Sequence, residues 1–284
     1  MVKPSNVDHK ERERQVWVSV ADGWRRRDEL LRKGAEPVTE RMMHLAGVSP
    51  GQRVLDIASG TGEPAIPMAR RVGPQGYVIG TDLVEEMLMI AREKATLQGV
   101  TNIEFRCVDG ERLDIDSGTF DVVSSRWGMM FMPDPHACLQ QVYRALKPGG
   151  RFVVACWAAA QDNPFISLAM TALKDYMEVP APVPGAPGIF AYADRERLQD
   201  ELQSAGFHAV AVERLELVMI EVDNGAAYWD VLQDLAGPIM TLVNQLDAKA
   251  KTAFEIDLIN RADALSTGEK LLMRGTTWIA VAIR

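Results

Sequence analysis

Three carboxylates and two glycines have the residue types and the spacing of a nucleoside-binding site. Asp56 precedes a short turn that contains Gly60 and Gly62. Asp82 follows Gly60 by 22 positions, and a carboxylate that accepts hydrogen bonds from ribose hydroxyls is expected about 20 residues after such a turn. Asp109 is a third acid, to which an exocyclic amine could donate. Because glycines let a ligand approach the backbone closely, the set predicts a nucleoside that carries amines and a positive charge.

A fold has to bring these residues together in space, although they are far apart in the sequence. Short apolar runs predict five strands, at 53–58, 77–80, 103–107, 120–124 and 152–156. Amphipathic stretches between the strands predict helices. Strands that alternate with helices form a parallel sheet with helices on both faces, and such sheets bind ligands at the carboxyl ends of their strands. The glycine turn and the three acids all fall at predicted strand ends.

The flanks of this core depart from strict alternation. Residues 1–15 have the composition of a charged arm, and the pattern from Trp17 to about Ala46 is helical. The later part predicts helices at 165–177, 194–205 and 226–265, a proline-rich loop at 179–185, a strand at 209–220 with a bulge near 213–214, and a last strand at 276–283. A helical insertion between the two final strands implies that these strands form an antiparallel pair at a sheet edge.

The predicted fold is therefore α/β: a Rossmann-like, doubly wound, seven-stranded sheet with an antiparallel C-terminal strand pair, N-terminal helices and an inserted helical cap. The predicted division has an N-terminal helical segment or lid, a ligand-binding core and a cap. Their bounds are 1–46 for the segment, 47–220 and 270–284 for the core with a lid insertion at 157–193, and 221–269 for the cap.

The glycine turn also fits the loose dinucleotide pattern, because Ala65 follows Gly62 at the required spacing. A dinucleotide places its pyrophosphate on N–H donors at the helix N-terminus. Here Glu63 adds a negative charge at that position and Pro64 removes a donor. The sequence therefore favours a ligand without phosphate.

Five motifs in the same order resemble those of class I S-adenosylmethionine (SAM)-dependent methyltransferases. They are Val54–Gly62, Gly80–Leu83, Val108–Gly110, Phe120–Val123 and Leu146–Gly150. The similarity runs continuously from about Arg53 to Trp157, and the group that it resembles most is that of the ubiquinone/menaquinone-biosynthesis C-methyltransferases. The resemblance implies SAM as cofactor and S-adenosylhomocysteine (SAH) as product.

The resemblance also implies roles for individual residues. Asp82 would hold the ribose, Leu83 would lie against the adenine and Asp109 would meet the adenine amine, with Ser125 and Arg126 at the methionine end. The full set of expected cofactor-binding residues is Asp56, Ala58, Gly60, Thr61, Gly62, Asp82, Leu83, Met87, Asp109, Gly110, Ser125 and Arg126. The residues expected to bind the methyl acceptor are Trp17, Trp24, Trp127, Met130 and Trp157. No catalytic residue is assigned, although His136 is a candidate base.

Composition excludes several classes of protein. The chain has 284 residues, 47% of them hydrophobic, and a formal net charge of -8. Such a charge disfavours a partner held by phosphates, so no nucleic-acid partner is expected. No apolar run approaches the ~18–20 residues that a membrane span needs, so no integral membrane contact is expected either. Its three cysteines lie far apart and its N-terminus is polar, so we expect no metal site and a cytoplasmic location. A homodimer is compatible with the sequence.

The expected reaction is methyl transfer from SAM to a small, largely apolar or aromatic metabolite, with O- or C-methylation favoured. Three alternatives remain open at this point: a NAD-binding Rossmann dehydrogenase, a methyltransferase that modifies macromolecules, and a non-catalytic protein that binds SAM. The residues Ser125-Arg126-Trp127-Gly128 after the fourth strand differ from the motif of nucleic-acid amine methyltransferases.

Overall fold

Seven strands form the sheet at the centre of the molecule. The computed structural model describes residues 6–179, 183 and 185–284. The strands are β1 (Arg53–Ile57), β2 (Tyr77–Asp82), β3 (Ile103–Cys107), β4 (Phe120–Arg126), β5 (Leu146–Trp157), β6 (His208–Val222) and β7 (Leu271–Ile283). Their order in the sheet is β3-β2-β1-β4-β5-β7-β6. β1 to β5 run parallel, whereas β7 is antiparallel to both of its neighbours, β5 and β6.

Ten α-helices surround the sheet in the described part of the chain. They are α1 (Asn6–Arg26), α2 (Asp28–Ala46), α3 (Ala65–Val72), α4 (Glu85–Leu97), α5 (Pro135–Ala145), α6 (Pro164–Leu173), α7 (Arg195–Ser204), α8 (Gly225–Leu235), α9 (Gly237–Val243) and α10 (Ala248–Asp263). None of these helices combines the length and the apolar character that a membrane span requires.

The strand order reverses between β1 and β4, which lie side by side. Their register pairs Asp56 with Ser124, and β1 pairs on its other side with β2, placing Ile57 opposite Thr81. The glycine turn after β1, the end of β2 and the end of β4 therefore meet at one edge. A ligand site is expected at such a switch point.

The predicted fold class is confirmed, including the antiparallel pair of final strands at the sheet edge. The prediction that residues 1–15 form a charged arm is wrong from Asn6 onward, since α1 begins there. Its charged side chains find partners on other elements, which the local pattern does not reveal.

Three smaller predictions also need correction. The bulge predicted near 213–214 is absent, because β6 pairs with β7 without interruption from Ala211 to Val218; the irregularities lie on either side of this stretch. β5 begins at Leu146 and not at the predicted position 152, so Pro148, Gly149 and Gly150 lie within the strand. The helical region 226–265 is divided into α8, α9 and α10. Residues 180–182 and 184 of the predicted proline-rich loop lie outside the described residues.

Candidate functional site

The glycine turn after β1 is built from left-handed backbone. Ala58, Gly60 and Gly62 have φ values of 58°, 51° and 97°, a region that glycine enters without steric cost. The turn is closed by the Gly62 N–H, which donates to the Ser59 carbonyl at 2.8 Å. The sequence therefore needs glycine here for its backbone, independently of any ligand.

The two glycines nevertheless differ in their surroundings. A Cβ added at Gly60 would have no described protein atom within 4 Å, so this position opens into free space. A Cβ at Gly62 would lie 2.7 Å from Ile66 Cδ1 and 3.2 Å from Ala91 Cβ. Gly60 thus borders space that a ligand can fill, whereas Gly62 permits close packing of the turn on the helices.

Asp82 ends β2 with its carboxylate held by the backbone. Its Oδ2 accepts a hydrogen bond from the Gly60 N–H at 2.8 Å, and its Oδ1 accepts from the Val84 N–H at 3.0 Å. Burial raises the pKa of Asp82 above its ordinary value, and these N–H donors oppose that shift. A carboxylate offers about four lone-pair positions, so two remain for ligand hydroxyls. This geometry fits a ribose with two free hydroxyls.

Unpartnered polar atoms mark the crevice between β1 and β4. Asp56 is fully buried, and the Ser124 hydroxyl donates to its Oδ1 at 2.6 Å, while its Oδ2 has no partner. Burial raises the pKa of Asp56 to about 7. Ser125 Oγ and Arg126 Nε are likewise buried and unpartnered. Because buried polar groups are normally hydrogen-bonded, these atoms indicate a place for a polar ligand.

Asp109 follows the end of β3, as the sequence predicts, but its carboxylate already contacts a lysine. Lys10 Nζ of α1 lies 2.5 Å from Asp109 Oδ2 and 2.6 Å from Glu111 Oε2. Lys10 is not among the predicted site residues, because residues 1–15 have the composition of a charged arm. The first helix therefore reaches across the predicted adenine edge.

The N-terminal helix forms an aromatic roof at this end of the sheet. The Trp17 ring meets Trp24 edge-to-face at 5.7 Å and Phe131 at 5.3 Å between ring centroids. Leu83 and Met87, both predicted cofactor residues, pack in the same apolar cluster as these two tryptophans. We call Trp17, Trp24 and Phe131 the roof group.

Close packing and ion pairs hold α1 in this position. Arg25 pairs with Glu93 on α4, and Arg26 pairs with Asp234 on α8, which also accepts from Arg27 just after α1. A Cβ at Gly23 would lie 2.0 Å from the Asp234 carbonyl oxygen, so the two helices approach at backbone distance. The helix thus bridges the predicted cofactor side and the cap.

A second aromatic group lies at the ends of β4 and β5. Trp127 stacks on Trp157 with 4.1 Å between centroids and an interplanar angle of 14°, and Trp157 contacts Phe165 at 4.7 Å. Trp157 is 4% exposed, and the Trp127 indole N–H donates to Thr277 Oγ1 at 3.1 Å. We call Trp127, Trp157 and Phe165 the stacked group.

The other predicted residues have structural surroundings of their own. Met130 is buried, and its carbonyl accepts from the Gly188 N–H at 2.9 Å. Thr61 is buried in the glycine turn, and a Cβ at Gly110 would lie 2.9 Å from Met132 Cε. His136 is exposed in the first turn of α5.

Glu63 has a partner that the local sequence does not indicate. Lys94 Nζ on α4 lies 3.1 Å from Glu63 Oε1 and 2.7 Å from Asp28 Oδ1 on α2, and Lys94 is 8% exposed. The charge of Glu63 is thus engaged by a buried ammonium. No cluster of three or more His, Cys, Asp or Glu side chains suited to a metal ion occurs in the residues that the structure describes.

Comparison with known proteins defines the class to which this sheet and site belong. Known structures share the fold: the YcgJ protein from Bacillus subtilis has a TM-score of 0.56 and 18% identity over 87% of this chain and 97% of its own. The [4+2]-cyclase SpnF has a TM-score of 0.55 and 19% identity, covering 87% of this chain and 81% of its own. These likenesses concern the fold alone.

The chain belongs to the ubiE/COQ5 methyltransferase family, whose profile matches residues 7–185. It is 30% identical over 226 residues to the ubiquinone/menaquinone biosynthesis C-methyltransferase UbiE of Pseudomonas putida strain F1, covering 74% of this chain and 87% of that protein. The UbiE protein of Pseudomonas entomophila strain L48 is 31% identical with the same coverage. The protein is a SAM-dependent methyltransferase, so the predicted family, enzyme class and cofactor are confirmed.

Proposed function

We propose that the protein transfers the methyl group of SAM to a carbon or oxygen atom of a small, largely apolar or aromatic acceptor. The observation that carries this proposal is the aromatic roof that α1 holds over the strand ends, with Trp17 against Phe131. Rings bind flat, apolar molecules well and keep water out. The UbiE relatives are C-methyltransferases of ubiquinone/menaquinone biosynthesis by name, which makes an aromatic carbon the first acceptor atom to test.

In this proposal the cofactor lies across the ends of β1, β2 and β4. Asp82 accepts from the ribose hydroxyls through its two remaining lone-pair positions, and Gly60 provides the open space beside the backbone. Leu83 and Met87 border the adenine, whose amine donates to Asp109. The methionine end lies near the unpartnered atoms of Asp56, Ser125 and Arg126, with Ala58, Thr61, Gly62 and Gly110 shaping the turns around it.

When bound, SAM supplies a methyl group that its sulfonium already activates. The task of the protein is then to align donor and acceptor and to exclude water. In this proposal Trp17 and Trp24 pack on Leu83 and Met87 beside the adenine, and Trp17 also reaches Phe131 after β4, so these rings border both the cofactor and the acceptor. Trp127 offers apolar surface next to the end of β4, and the buried Met130 and Trp157 support it. His136, exposed on α5, is a poor candidate for a base in this arrangement.

The direct test uses SAM that carries a deuterated methyl group. The protein is incubated with this SAM and an extract of small metabolites, and mass spectrometry searches for compounds that gain the labelled methyl group while SAH accumulates. Trp17→Ala should lower labelling strongly, whereas the control Val7→Ala, which alters an exposed side chain of the same helix, should not. Labelling confined to protein or nucleic acid, or SAM binding without SAH formation, would contradict the proposal.

Several expectations stay predictions alongside it. They are a homodimer, the absence of a nucleic-acid partner, a cytoplasmic location, and the division into segment, core and cap.

A further inference from the structure

Arg126 is a half-buried cation at the switch point of the sheet. It is the last residue of β4, and its Nη1 donates a hydrogen bond of 2.6 Å to Thr39 Oγ1 on α2. Its guanidinium carbon lies 5.0 Å from the centroid of the Trp127 ring. Thr39 is 3% exposed. The guanidinium is therefore fixed between a helix and an aromatic face.

This guanidinium has no anionic partner in the part of the chain that the structure describes. Its Nε is buried and makes no hydrogen bond, and none of the ion pairs includes it. The acidic groups that act on it at longer range are Glu63, Asp56 and Asp28. Burial lowers the pKa of Arg126, and these acids only partly oppose the shift. A guanidinium nevertheless remains protonated at neutral pH.

None of these nearby carboxylates contacts the guanidinium, although Asp56 Oδ2 is itself unpartnered. Glu63 and Asp28 share the ammonium of Lys94, at 3.1 and 2.7 Å, and Asp56 Oδ1 accepts from Ser124 at 2.6 Å. A buried charge without a contacting counter-charge is costly. A ligand that brings an anion would remove that cost, so the site favours one.

We propose that Arg126 is the anion receptor of the active site and binds a carboxylate group of a bound small molecule. The planar fork of a guanidinium matches a carboxylate through two parallel N–H···O bonds, and the unpartnered Ser125 hydroxyl beside it offers a further donor. Two molecules could carry this group: the cofactor, through the carboxylate of its methionine part, and an acidic acceptor. The inference rests on the proposed placement of the methionine end near Arg126.

Calorimetry with two cofactor analogues separates these sources. SAH carries the carboxylate, whereas 5′-methylthioadenosine keeps the nucleoside and the thioether but lacks the amino acid. If the cofactor carboxylate binds Arg126, Arg126→Met weakens SAH at least tenfold and leaves methylthioadenosine unchanged, and Arg126→Lys restores part of the SAH affinity. The control Arg53→Met removes the same charge from an exposed residue at the start of β1 and should alter neither.

An acceptor carboxylate gives a different result. Both analogues then bind the Arg126→Met variant as they bind the wild type, while benzoate, added to the SAH complex, binds the wild type and fails to bind the variant. Benzyl alcohol serves as the uncharged comparison and should be unaffected by the substitution.

Two outcomes overturn the proposal. One is unchanged binding of SAH and benzoate in Arg126→Met; the other is an equal loss for SAH and methylthioadenosine, which shows a purely structural role. Thermal unfolding of each ligand-free variant checks the fold, and Arg126→Gln replaces the methionine variant if that one is unfolded. Because the readout is binding, the failure of this inference is distinct from the failure of the labelling experiment on the acceptor.

Discussion

Replacing Asp82 by Asn tests whether its carboxylate holds the cofactor ribose. In the wild type, two of about four lone-pair positions accept from the N–H groups of Gly60 and Val84, at 2.8 and 3.0 Å, and two remain for hydroxyls. The amide of Asn has a single acceptor oxygen, on which one backbone N–H and one hydroxyl can be bound. Asp82→Asn therefore loses one hydroxyl contact and the negative charge that strengthens the other.

The size of the effect follows from these contacts. A hydrogen bond to a charged group contributes about 1.5–3 kcal/mol, so the dissociation constant of SAH should rise roughly 10- to 100-fold. One backbone N–H also loses its acceptor, which should lower the free energy of unfolding of the ligand-free protein by about 1–3 kcal/mol. Asp82→Asn should therefore both raise the dissociation constant of SAH and lower the free energy of unfolding.

Titration calorimetry with SAH and with its 2′-deoxy analogue isolates the ribose contact. The wild type should prefer SAH strongly, and Asp82→Asn should lose most of that preference. Glu85→Gln serves as the control, because this exposed carboxylate lies near Asp82 and pairs with Arg92 on the surface. An undiminished preference for SAH in Asp82→Asn would refute the assignment of Asp82 to the ribose.

Three further predictions concern pH, the glycine turn and the roof. Burial raises the pKa of Asp56 to about 7, compared with about 3.9 in an unfolded chain. Between these two pH values the folded protein therefore binds one proton more than the unfolded chain. The free energy of unfolding should fall as the pH rises through this range. Denaturant unfolding at pH 5 and pH 8 should show this slope, and Asp56→Asn should flatten it; an equal slope in the variant contradicts the assignment. Gly60→Val should abolish SAH binding and also lower the melting temperature, because valine is strained at a φ of 51°. Gly62→Val should lower the melting temperature further, since its side chain also meets packed atoms. Equal melting temperatures of the two variants in thermal unfolding would contradict this prediction. Deleting residues 1–26 should reduce the rate of labelled-methyl transfer more than it weakens SAH binding. If the truncated protein keeps the full rate, α1 does not contribute to acceptor binding.

The residues proposed to bind the cofactor could be selected from the sequence because their signals are local. Gly60 and Gly62 have left-handed backbone that glycine favours, and Asp82 falls at the end of a short apolar run. Parallel strands then carry these separate signals to one edge, since the order of such a sheet brings the ends of β1, β2 and β4 together.

The acceptor half was less accessible from the sequence. The predicted tryptophans are divided between the roof group and the stacked group, and their partners Phe131 and Phe165 were not anticipated. The position of an aromatic residue on the apolar face of a helix predicts that the residue is buried. It does not predict which element the ring packs against, because that depends on the tertiary structure.

What the sequence by itself determined is the alternation of strands and helices, the glycine turn and the acids at the strand ends. Each of these depends on a few neighbouring residues. Only the tertiary structure shows that α1 lies over the strand ends. In the sequence Lys10 has the features of a solvated charge, whereas in the fold it contacts Asp109, 99 positions away. The tertiary structure likewise decided that Lys94 engages Glu63 while Arg126 keeps a free N–H. The physical reason is that the partner of a charge is set by which surfaces pack together, and hydrophobic burial along the whole chain determines that packing.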